Sequence, residues 1–189
     1  MIRAGDTLMN PVTKERMTFL KTSAETGGDY VLIELRSEPG GFVAAAHVHP
    51  TQTETFEVVS GTLGIKAGRK KSEVGPGGVV TVKPRVAHKW WNAGADELVF
   101  RTEVRPALQF ESLIETMFGL AEDGKTNRKG MPNPLRLAVI ANHHFEDVNL
   151  PVVPAALQKL ALAMGAPLGR ALGYAPTYVP AGDAAAVTA

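Results

Sequence analysis

The chain has 189 residues, 44% of them hydrophobic, and its 20 Lys and Arg nearly balance 19 Asp and Glu for a net charge of +1. That length suits one domain, or one with an appendage, with enough apolar sequence for a core, and the balanced charge gives no nucleic-acid footprint. There is no cysteine, which excludes disulfides, iron–sulfur clusters and zinc–thiolate sites, so any metal must rest on His and carboxylate.

The opening residues 1–17 carry charges and lack the apolar run of a signal peptide. No stretch approaches the ~18 apolar residues of a membrane span. A soluble, cytoplasmic protein without membrane or nucleic-acid partners is the expectation.

Residues 1 to about 105 read as β. Short runs alternate apolar and polar residues, and Gly, Pro and Asn punctuate them. The expected strands are Arg16–Lys21, Tyr30–Arg36, Phe42–His49, Glu54–Val59, Thr62–Ala67, Val79–Lys83, His88–Asn92 and Leu98–Val104. Their spacing suits a sandwich or barrel. Arg69, Lys70 and Lys71 read as a solvated turn between strands.

After Pro106 the texture changes. Leu108, Phe110, Leu113, Ile114, Met117 and Leu120 give Ala107–Leu120 a helical period, with Pro106 at its start. A polar connector, Lys125–Pro134, leads to helix candidates at Leu135–Phe145 and Ala155–Ala171, the latter interrupted by Gly165 and Pro167. The Ala-rich end is expected to fray. We expect residues 106–189 to pack on a barrel of residues 1–105 rather than form an independent domain.

The chemistry lies in two segments. His47 and His49 are two apart, so on a strand both imidazoles point the same way, with Cα atoms roughly 6.5–7 Å apart. That separation lets two rings converge on one ion. Pro50 ends the strand, and Glu54 opens the next, within reach of the same centre. In the second segment a β-branched run and a proline turn lead to His88. Three imidazoles and a carboxylate suit iron, manganese, nickel, zinc or copper. Without a metal, such a cluster on one inner face would leave poorly paired polar groups.

These residues resemble the cupin motifs. Gly41, His47, His49, Glu54 and Gly61 match every fixed position of the first, G(X)5HXH(X)3,4E(X)6G. Gly77, His88 and Asn92 match the second, G(X)5PXG(X)2H(X)3N, whereas Lys83 and Arg85 replace its proline and glycine. Pro84, one residue along, is expected to keep the turn. The sequence from His88 to Leu120, with WWNAG and EVRPAL, is similar to single-domain cupins with a helical tail. The resemblance implies a double-stranded β-helix, or jelly-roll barrel, with a divalent metal at its wide mouth, and a homodimer.

Alternation places Val43, Ala45, Phe56, Trp90 and Asn92 beside the ligands as substrate-binding walls, suited to a small apolar or aromatic molecule. Lys89 and Trp91 face out, and Trp91 is expected beneath the helical tail or a partner subunit. Glu57 falls on the face opposite Glu54. His143 and His144 are adjacent on a helix, share no face, and read as exposed or capping residues. Arg101, Glu103 and Arg105 share one strand face and are expected to pair with neighbouring charges.

Four protein ligands leave positions open on an octahedral ion, the mark of a catalytic site. The first expectation is a metal-dependent dioxygenase with Glu54 doubling as a base. The alternatives are a metal-dependent isomerase, epimerase or lyase, and a non-catalytic small-molecule-binding protein.

Overall fold

The computed structural model describes residues 2–180; most of the Ala-rich end lies outside the described residues. The strands are β1 (Thr7–Asn10), β2 (Glu15–Lys21), β3 (Val31–Ser37), β4 (Thr53–Ser60), β5 (Leu63–Ala67), β6 (Lys70–Val74), β7 (Val79–Val82), β8 (His88–Asn92) and β9 (Leu98–Arg105). They form an antiparallel six-stranded sheet, in the order β1-β2-β3-β9-β4-β7, and a three-stranded sheet, β6-β5-β8. Three helices follow: α1 (Phe110–Glu122), α2 (Pro134–His143) and α3 (Ala155–Ala171). The chain is mainly β, a cupin-type jelly roll with C-terminal helices.

Alternation builds the core. Met17 and Phe19 of β2, Val31, Ile33 and Leu35 of β3, and Phe56 and Val58 of β4 are buried, with polar or charged residues between them. On the outer face Arg101 pairs with Glu34, and Arg105 with Glu103 and Asp29. Trp91 is half-buried. Its indole lies across Gly64 of β5, where a Cβ would collide with the ring, and Lys71 sits 5.1 Å from the ring centroid.

Three local readings are corrected. Lys70 and Lys71 do not lie in a turn; they open β6, an edge strand, where lysine blocks further pairing. Phe42–His49 is not a continuous strand. Val43 N–H bonds to Trp90 O, and His47 exchanges both backbone bonds with His88, so four residues on this side span two on β8. The surplus at Ala44–Ala46 bulges from the ladder. Pro106 is not the first helical residue: α1 begins at Phe110, after a turn in which Leu108 has φ 48°.

In contrast, α3 runs through Gly165 and Pro167. Gly165 lies against Ala138, and Gly169 against Leu135 and Val139, so small residues let α3 approach α2 closely. Beside that seam α3 exposes Leu157, Leu160, Met164 and Leu168, with Leu172 at its C-cap. Among the described residues no helix is long and apolar enough to cross a membrane.

Candidate metal centre

The His47–His88 backbone pair fixes the centre. Exchange of both N–H···O bonds, at 3.0 and 2.9 Å, holds the two residues directly opposite one another, with ring centroids 4.3 Å apart. His49 follows on the same segment, and its carbonyl accepts Arg85 N–H at 2.8 Å. Arg85 has φ 65°, so it supplies the left-handed turn for which the resembled motif uses glycine. Glu54, the second residue of β4, points inward between Val82 and Val104 of the flanking strands. His49, Glu54 and His88 are buried, and His47 is partly so.

One ligand atom from each of His47, His49, Glu54 and His88 lies within 4.8 Å of every other, a group that could hold a metal ion. The tautomers follow from the ring contacts. His47 Nδ1 lies 2.9 Å from Ala45 O, His49 Nδ1 2.6 Å from Asp147 O, and His88 Nδ1 3.1 Å from Val86 O. A carbonyl can only accept, so every Nδ1 carries a hydrogen. Each neutral ring then keeps its lone pair on Nε2. His49 Nε2 and His88 Nε2 lie 3.2 and 2.9 Å from Glu54 Oε2. Lone pairs facing a carboxylate repel, so the arrangement calls for positive charge: a proton on Nε2, or a metal ion. The donor set fits a divalent transition metal.

The protonation pattern agrees. Burial, then the neighbouring His88 and His49, pushes His47 down to about 3. Burial would also lower His49, but the hydrogen bond and charge of Glu54 outweigh it and raise the ring above its ordinary value. Burial would raise Glu54, yet the bonds from His49 and His88 hold it well below the usual carboxylate range.

Two supporting residues have no counterpart in the sequence reading. Thr102 Oγ1 lies 3.3 Å from Glu54 Oε1, as the one polar side chain in the inward file Leu98, Phe100, Thr102 and Val104. Asp147, in the loop after α2, holds His49 through its carbonyl. Its carboxylate accepts Gln109 N–H at 2.9 Å, and its other oxygen meets His144 Nδ1 at 3.2 Å. His144 is thus buried, contrary to exposure, although it does sit at the C-cap of α2. His143 is exposed, and burial of its ring edge with the nearby His144 lowers its pKa.

The centre opens on a cavity of about 430 Å³ running between barrel and helices. Val43, Ala45 and Trp90 line it as expected, and so do Ala44 and Ala46, because the bulge breaks alternation there. Phe56 and Asn92 do not line it. Phe56 is buried in the core, its ring 6.3 Å from His88 and 5.7 Å from Phe100. The Asn92 amide is spent on backbone, donating to Ser37 O and Asp96 O and accepting from Gly94 N–H. The helical side adds Phe110, Ile114 and Met117, and Met131 from the connector. Among the described residues no Lys or Arg lines the cavity.

Residues 33–104 match the cupin domain family. Among solved structures, the chain is similar to an uncharacterized conserved protein with a double-stranded β-helix domain from Klebsiella pneumoniae (22% identity, 57% of this chain and 84% of that one, TM-score 0.43). It is also similar to a sugar phosphate isomerase of the cupin superfamily from Silicibacter pomeroyi (19%, 50% and 60%, TM-score 0.44). A third is a predicted oxalate decarboxylase from Thermotoga maritima (17%, 56% and 98%, TM-score 0.49). No curated protein matches the chain.

Proposed function

From the match of residues 33–104 to the cupin domain family, we propose that the protein is a metal-dependent dioxygenase acting on a small, uncharged apolar or aromatic substrate. The ligands are His47, His49, Glu54 and His88, and one divalent transition metal is the cofactor. The observation that carries this reading is the direction of the three rings: every Nδ1–H is tied to a carbonyl, which turns every Nε2 toward one point beside Glu54.

Bound there, a redox-active ion supplies Lewis acidity and electrons for dioxygen chemistry. The protein's own contribution follows from its residues. Backbone carbonyls lock the rings, so little reorganisation is needed on binding. Glu54 stays ionised beside its histidines, and its carboxylate would act as a proton acceptor once released from them, when its ordinary basicity returns. The apolar walls exclude water, and the lack of lining cations disfavours phosphates and other anions.

Oxygen uptake by iron-loaded protein against a panel of small aromatic compounds and diketones tests the reading. Consumption of dioxygen only when a panel compound is present supports it. Turnover of a carbonyl compound without oxygen consumption would replace it with a Lewis-acid isomerase or lyase, and tight binding without turnover with a carrier.

A further inference from the structure

The cavity has a second polar pole. Asn10 of β1 and Glu15 of β2 are direct cross-strand partners, so their side chains share a face. They are 4% and 6% exposed, and both line the cavity. Neither belongs to the metal centre. Glu15 pairs with Ser37, which pairs with Leu98, whereas Glu54 pairs with Val104. The two glutamates thus sit six residues apart along β9, roughly 20 Å of strand rise.

Each of these side chains has capacity unspent. Asn10 Oδ1 accepts Val12 N–H and Thr13 N–H, both at 3.1 Å, while its amide nitrogen has no partner among the described residues. Glu15 Oε2 accepts from Thr13 Oγ1, while Oε1 has none. Burial, only partly offset by Thr13, raises the Glu15 carboxyl to about 8. Among the described residues the other titratable groups lining the cavity are His47, His49 and Glu54, all at the metal pole, so no Lys or Arg faces Glu15 from the cavity. At neutral pH the raised value keeps the carboxyl largely protonated, so it can donate a hydrogen bond. Both groups open on the cavity rather than being sealed in the core, so two donors converge on one apolar space where a ligand acceptor would pair with them.

We propose that Asn10 and Glu15 bind a neutral carbonyl-type oxygen at the end of the ligand remote from the metal centre. The substrate is then two-headed: an oxygen function at His47, His49, Glu54 and His88, an apolar body against Met17, Leu35 and Ile114, and an uncharged acceptor at the far end. The proposal rests on the apolar-substrate reading above, and it makes Glu15 a specificity residue.

The test compares two probes of similar shape, 4-phenylbutan-2-one and butylbenzene, by NMR titration of the zinc-loaded full chain. The wild type is expected to prefer the ketone about tenfold, the effect of one or two good hydrogen bonds. Glu15→Leu should abolish that preference and keep butylbenzene binding, which also reports a folded cavity. Glu15→Gln, which retains a donor, should keep most of it, and Asn10→Ala should reduce it about threefold. His49→Ala should lose zinc yet keep the preference, so failure of the metal reading would be seen separately. An equal preference in wild type and Glu15→Leu, no preference in the wild type, or binding of neither probe would overturn the proposal. Should Glu15→Leu not fold, an Asn10→Ala variant with undiminished preference would overturn it as well.

Discussion

The Asp147 carbonyl lies 2.6 Å from His49 Nδ1, so a loop beyond the barrel fixes the orientation of a ring in the barrel's own metal cluster. The same residue anchors the start of α1 through Gln109 and engages buried His144. A carboxylate near a helix N-terminus also interacts favourably with its dipole. The helical region is therefore coupled to the centre through Asp147, beside the bridge in which Val48 and Asn149 exchange both backbone hydrogen bonds.

Replacing Asp147 with Ala keeps the carbonyl but removes what holds it in place, and it leaves His144 without its ring partner. We expect metal affinity to fall on the order of tenfold and stability by about 2–3 kcal/mol. Asp147→Asn, which can still accept from Gln109, should lose less. Zinc titration and thermal melts of both variants check this; an Ala variant equal to wild type in both would contradict it.

Metal and proton compete for His49 Nε2. Glu54 raises His49 above its ordinary value against the effect of burial, so the ring is protonated below that raised pKa and must release its proton to bind metal. Zinc affinity should rise with pH, about one decade per unit, until it levels above the raised pKa. In Glu54→Gln the levelling point should move to lower pH, since the charge that holds the proton is gone. Chelator competition from pH 5.5 to 8.5 measures both; a pH-independent affinity would refute the coupling.

Glu15 gives stability the opposite dependence on pH. Burial pushes its folded pKa up to about 8, above the ordinary value of 4.5. The folded state binds the extra proton between those values, so stability is full below 4.5 and falls as pH rises toward 8. The loss approaches on the order of 5 kcal/mol by pH 8. Glu15→Gln should remove this slope. Urea melts at pH 4.5, 6 and 8 would show a steep fall for wild type and a shallow one for the variant; parallel curves would contradict the assignment.

Gly64 is a packing test distinct from the site. A Cβ there would strike the Trp91 indole, so Gly64→Ala should cost about 1–3 kcal/mol, and adding Trp91→Ala should relieve the clash. Metal content should not change in either. An unaltered melting temperature for Gly64→Ala would show that the indole shifts freely.

Particular residues show what the sequence made legible. His47, His49, Glu54 and His88 stood out because period-2 alternation and the cupin motif agree on them, and the structure gathers all four. β2, β3, β4 and β9 were readable because buried apolar residues recur along their inward faces. The four-residue β1 and the charged β6 lack such a file, being short or at an edge. The Ala44–Ala46 bulge was not legible, since its cause is the backbone pairing with β8. Asp147 acts on His49 through a carbonyl 98 residues away, which leaves no mark on side-chain pattern. Glu15 did carry a signal, an acid in the inward file with Met17 and Phe19, but its environment depends on the closed barrel.

The central claim is a single ion gripped by four side chains from separate segments. Elemental analysis of anaerobically purified wild type, His49→Ala and His88→Ala measures it most directly. One equivalent of a divalent transition metal per wild-type chain, falling below about a tenth in either variant, is the predicted result. Metal content unchanged by both substitutions would contradict it.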